Sequence, residues 1–118
     1  MIDSGVKVAT TDEFTSKSWK AVRVEGHRVL IVKLDDGYHA IDELCSHEEE
    51  SLAEGVIDGV KIECPRHGAT FDIMTGAVRS LPAVHPLRIH HVTIRGNDIF
   101  VSLGSSRSKP EAYEPQAQ

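Results

Sequence analysis

The 118 residues contain only two cysteines, and a histidine follows each within three positions: Cys45-Ser46-His47 and, after sixteen intervening residues, Cys64-Pro65-Arg66-His67. Two such pairs on two short loops offer two thiolates and two imidazoles to one site, and a fold has to be built around that demand. Thiolate suits iron-sulfur clusters and zinc, while imidazole suits iron, zinc and copper, so the donor set narrows the metal without fixing it. Common zinc modules space their ligands as C-x2-4-C and H-x3-5-H. A structural zinc-binding module is therefore the remote alternative here. A Cys45–Cys64 disulfide would need an oxidising compartment, and nothing in the sequence signals export.

The context of the four residues adds to the spacing. Cys45-Ser46-His47-Glu48-Glu49, Cys64-Pro65-Arg66-His67-Gly68, Phe71-Asp72, Thr75-Gly76 and Leu81-Pro82-Ala83-Val84 together resemble the Rieske-type 2Fe-2S ferredoxins of bacterial aromatic-ring-hydroxylating dioxygenase systems. The resemblance runs from about Val6 to Leu103. It implies one 2Fe-2S cluster, with two Cys on one iron and two His on the other. Cys45 and Cys64 would then hold the inner iron, and His47 and His67 the outer iron that takes the electron. It also implies an all-β Rieske fold: an antiparallel sandwich or barrel-like base, with a smaller cluster-binding subdomain at about 43–82 formed by two loops. Around the cluster, Gly68 is expected to let a backbone N–H approach a sulfur, and Pro82 to lie in the loop that covers the site.

The rest of the chain agrees with one all-β domain. Its length supports a single core. Trp19 to Val24, Arg28 to Leu34, Tyr38 to Asp42, Val60 to Glu63, Thr70 to Ile73, Ala77 to Ser80, Leu87 to Arg95 and Asp98 to Leu103 read as strands. Turns are expected at Glu25-Gly26, Asp36-Gly37, Asp58-Gly59, Thr75-Gly76 and Gly96-Asn97. Thr10 and Glu13 form a capping box for one helical turn. Between Leu87 and Ile94 the alternation slips by one residue, which suggests a β-bulge at His90-His91. A polar tail is expected from Gly104 to Gln118, after a domain covering residues 1–103.

A net charge of −5 argues against a nucleic-acid partner. The longest clean aliphatic run, Val29 to Val32, is far too short to span a membrane, so a cytoplasmic protein is expected. The resemblance implies an electron carrier that is not catalytic alone and is monomeric. Its partners would be a flavin-dependent ferredoxin reductase using NAD(P)H and a terminal Rieske oxygenase. The alternative is the Rieske small subunit of an assimilatory nitrite reductase or a similar redox complex. Histidine ligation removes two negative charges relative to four thiolates and raises the potential to roughly −150 to +300 mV, against about −400 mV for plant-type ferredoxins. The missing cysteine pair of the high-potential branch puts this chain toward the low end. Eight acidic residues between 42 and 63, with Glu48, Glu49 and Glu50 at their centre, suggest an acidic rim that steers a basic partner. His27, His39, His85, His90 and His91 are read as structural, and Trp19, Phe71 and Phe100 as core.

Overall fold

The computed structural model describes residues 5–45, 51–65, 68–80 and 85–104. The base is built on β2 (Trp19–Val24) and β3 (His27–Leu34), joined at Glu25-Gly26. Both turn residues have positive φ, 53° and 83°, which matches the right-handed twist of the flanking strands, and Val24 lies opposite His27. The chain then turns at Asp35-Asp36, one residue earlier than expected, into β4 (Gly37–Asp42). Gly37 takes the positive φ (136°) and pairs with Leu34 inside the ladder.

β9 (Ile89–Arg95) and β10 (Asp98–Ser102) turn at Gly96-Asn97 as expected, and β1 (Val6–Thr10) pairs with β10. The six strands run β1-β10-β9-β4-β3-β2. The sheet curls until its edges meet, where the Lys20 ammonium donates to the Val8 carbonyl at 3.2 Å. The expected helical turn is a 3-10 turn, Thr11–Phe14, whose Glu13 carboxylate accepts the Thr10 N–H at 2.9 Å.

A second sheet of four three-residue strands, β5 (Val56–Asp58), β6 (Lys61–Glu63), β7 (Thr70–Asp72) and β8 (Val78–Ser80), stands on this base. β3 carries both. Its run Val29–Val32 is completely buried, and alternate side chains point to opposite faces. Val29 and Ile31 join Ala9, Phe14, Val24, Ala40, Ile99 and Val101 in the base core. Leu30 and Val32 join Ile41, Leu52, Ile62, Phe71 and Ile73 in the core beneath the small sheet, and that core includes both cysteines.

The two cores account for the slip in β9 without the bulge expected at His90-His91, where one ladder ends and the other begins. Neither ladder of β9 shifts register: His90 sits opposite Ala40 and Val92 opposite Val101. Leu87 and Ile89 face the upper core, whereas Val92 packs on the base core, so the strand changes faces without an extra residue. The register irregularities lie elsewhere, at Lys7/Ala9 and Thr70/Phe71. Phe71 is fully buried and Trp19 packs on the upper core, as expected; Phe100 is only half-buried, under the Arg95 guanidinium.

The Asp72 carboxylate organises the β7–β8 turn by accepting the Met74 and Thr75 N–H groups at 2.8 and 3.1 Å. Gly76 follows with φ +80°, its Cα pressed against the Leu87 carbonyl. A methyl group there would overlap that oxygen and strain the backbone. Gly76→Ala is expected to lower stability by about 2 kcal/mol or more, read as the urea midpoint at unchanged slope.

Candidate metal centre and its surroundings

β4 and β6 each end by delivering a cysteine. Cys45 and Cys64 are both 1 % exposed, neither is in a disulfide, and both belong to the upper core, so the structure brings the two predicted thiols together. Each starts a loop that is pinched shut at its base. The Cys64 N–H donates to the Ala69 carbonyl at 2.8 Å, and the Gly68 N–H donates to the Cys64 carbonyl at 3.1 Å. The Gly68 φ of +79° favours glycine at this position.

The loop after Cys45 is closed by Glu43. Its carbonyl accepts the Leu52 N–H at 2.7 Å, and Leu44 and Ser51 form an isolated bridge. The Glu43 carboxylate lies flat on Arg28, with Nε and Nη2 donating at 3.1 and 3.0 Å, and it accepts the Ser51 hydroxyl at 2.6 Å. Burial works to raise the Glu43 pKa, but the Arg28 and Ser51 donors outweigh it and hold the carboxyl below its usual range.

His47, His67, Arg66, Leu81 to Ala83 with Pro82, and Glu48 to Glu50 lie outside the described residues, as does the tail from 105. Gly104, expected to open that tail, belongs to the fold. It is buried, and its carbonyl accepts two bonds from the Arg88 guanidinium at 3.2 and 3.0 Å. The acidic rim also needs correction: Asp42 and Glu43 are 6 % exposed and bonded inward, while Glu54, Asp58 and Glu63 are exposed.

Sequence reasoning missed what Asp42 does. His27 Nε2 and His90 Nε2 each lie 2.9 Å from its Oδ1, and the Arg88 N–H donates to its Oδ2 at 3.3 Å. Burial alone would raise the Asp42 pKa; the two rings and the amide pull it below the usual carboxylate range. Two imidazoles and a carboxylate within 4.8 Å of one another are a set that metals use. Here the protons decide. The Gly104 N–H donates to His90 Nδ1 at 3.0 Å, so the hydrogen of His90 sits on Nε2 and faces Asp42. An ion on Nε2 would force that hydrogen to Nδ1, where it would oppose the Gly104 N–H. The triad is a hydrogen-bonded tie between β3, β4 and β9. The structural reading of His27 and His90 therefore holds, and it extends to His39, bonded to Asp36 at 2.8 Å.

The buried thiol pair fits the sulfur half of an iron-sulfur ligand set. Known proteins agree. The family profile for the Rieske [2Fe-2S] domain matches residues 4–93. The ferredoxin component of a p-cumate 2,3-dioxygenase system from Pseudomonas putida is 38 % identical over 102 residues, which is 85 % of this chain and 86 % of that protein. The ferredoxin of carbazole 1,9a-dioxygenase from Nocardioides aromaticivorans IC177 superposes with a TM-score of 0.80 at 39 % identity, covering 86 % of this chain and 99 % of the other. A ferredoxin solved in complex with the oxygenase of a carbazole 1,9a-dioxygenase gives a TM-score of 0.79 at 28 % identity over 89 % and 98 % of the two chains.

Proposed function

Since this chain belongs to the Rieske [2Fe-2S] family and carries electrons on such a cluster, we propose that Cys45 and Cys64 hold one iron and His47 and His67 the other. We further infer that it serves as the ferredoxin of an aromatic-ring dioxygenase system in the cytoplasm. It takes single electrons from a flavin-dependent reductase and delivers them to a terminal Rieske oxygenase, with no catalysis of its own. The observation that carries this is the meeting of two buried cysteines, neither in a disulfide, in one core, each at the base of a pinched loop. The cluster, when bound, supplies one-electron chemistry. The protein seals its sulfur side from water and fixes the loop ends by backbone bonds and by Glu43.

The decisive test is reconstitution. Protein with two irons and two acid-labile sulfides should restore electron flow between a flavin reductase and an aromatic-ring oxygenase. One zinc and no iron would sink the assignment. Docking adds a second prediction. Glu48, Glu49 and Glu50 steer a basic partner, so delivery should slow as salt rises, because the screening length is about 8 Å at 0.15 M. Changing all three to Gln should slow association roughly tenfold at low salt and flatten the salt slope. Wild-type rate and slope in that variant would return the glutamates to an ordinary solvated role.

A further inference from the structure

We propose that Glu43 is the positioning residue of the first cluster loop: with Arg28 and Ser51 it forms a staple that ties together the two ends of the segment carrying Cys45 and His47. The inference rests on the cluster reading above and goes beyond its four ligands.

The connectivity carries it. In the sequence, Glu43 and Ser51 flank residues 44–50, which include Cys45 and His47. The Glu43 side chain bridges them directly through the Ser51 hydroxyl, and the Ser51 oxygen in turn accepts the Ala53 N–H at 3.0 Å. The bridge is anchored to the base because Arg28 belongs to β3, and the Glu43 N–H donates to the Arg28 carbonyl at 3.2 Å. Every polar group of Glu43 is thus committed: N–H, C=O and both carboxylate oxygens. An acid with this many bonds, and with a side chain only 7 % exposed, is not a rim charge. Arg28 stays 43 % exposed, so removing Glu43 would not strand a buried cation. What would be lost is the tie between the loop ends.

A loop with its ends untied opens more often, and iron leaves a cluster through such local openings. The experiment follows iron release from the holoprotein into excess EDTA, read as bleaching of the visible spectrum well below the unfolding temperature. It compares wild type, Glu43→Ala, Glu43→Gln and Val101→Ala. Val101 is buried in the base core, so its variant lowers global stability without touching the loop. Glu43→Ala should release iron on the order of 30-fold faster, which corresponds to about 2 kcal/mol at 1.4 kcal/mol per tenfold. Its reduced-state electron paramagnetic resonance lines should broaden as the ligand geometry spreads. Glu43→Gln keeps one oxygen for Arg28 Nη2 and the Ser51 hydroxyl but sets its NH2 against Arg28 Nε, so it should recover only part of both. Val101→Ala should stay within about twofold of wild type, because the opening is local. Release from Glu43→Ala no faster than from Val101→Ala, with unbroadened lines, would reduce Glu43 to a general stabiliser and overturn the proposal. A wild-type protein with no iron to release fails earlier and differently, by refuting the cluster reading itself.

Discussion

The Cys64→Ala protein should be colourless, hold no iron, and still fold. Cys64 is tied into its loop through its backbone N–H and C=O, which alanine keeps. The side chain is buried, and exchanging a thiol for a methyl in the core costs about 1 kcal/mol. The predicted result is therefore a separation: a near-wild-type far-ultraviolet circular dichroism spectrum with iron content at background. Cys45→Ala should behave alike. His67→Cys adds a negative charge and, if a cluster assembles, should lower its potential. Two irons per chain in Cys64→Ala, or an unchanged potential in a fully loaded His67→Cys protein, would contradict the ligand assignment.

Asp42→Ala should be strongly destabilising. It removes the acceptor for His27, His90 and the Arg88 N–H together, and the His90 side chain has no exposure through which water could take over. Unpaired buried donors cost about 1–3 kcal/mol each. With partial relaxation a loss of roughly 4 kcal/mol follows, a large part of a total of about 5–15 kcal/mol. Thermal unfolding should then shift down by well over 10 °C, given roughly 4–8 °C per kcal/mol for a domain of this size. Asp42→Asn keeps the shape and loses less. The sign of the pH dependence follows from the depressed carboxyl pKa. Ionised Asp42 stabilises the fold fully above its unfolded value, near 4. That stabilisation is lost as pH falls through the lower folded value. The wild-type advantage over Asp42→Asn should be present at pH 5 and shrink below about 4. An advantage that persists unchanged at pH 3 would mean that the charge is irrelevant.

The same residues show where sequence reasoning stopped. The cysteine spacing, the paired strands and the turns at Glu25-Gly26 and Gly96-Asn97 are legible because each depends on neighbours in the chain, whereas the turn expected at Asp58-Gly59 lies one residue later, at Gly59-Val60, with Asp58 paired to Lys61. The β3–β4 turn was placed one residue late. Asp36-Gly37 resembles a two-residue hairpin turn, but no Asp takes a positive φ here and Gly37 does so within the ladder. That one residue moves every cross-strand pairing by two. With the correct register Val29 faces Asp42, which puts Arg28 beside Glu43 and His27 diagonal to Asp42. With the late turn Asp42 and Glu43 would stand opposite Ile31 and Leu30, away from His27 and Arg28, and a count of acidic residues alone puts both acids on the rim. The slip in β9 was legible as a pattern, but its cause was not. A strand serving two cores and a strand with a bulge write the same alternation, and only the positions of the neighbours separate them.

The double burial of β3 divides its substitutions by parity. Leu30 and Val32 can drift only with the core beneath the cluster, and Val29 and Ile31 only with the core of the base. In a diverging lineage the two sets should therefore co-vary with different partners, although they alternate along four consecutive letters. An engineer repacking the base to raise its heat tolerance can edit Val29 and Ile31 and leave the thiol-bearing half untouched. One strand serves as a party wall whose two faces can be refurbished by separate owners.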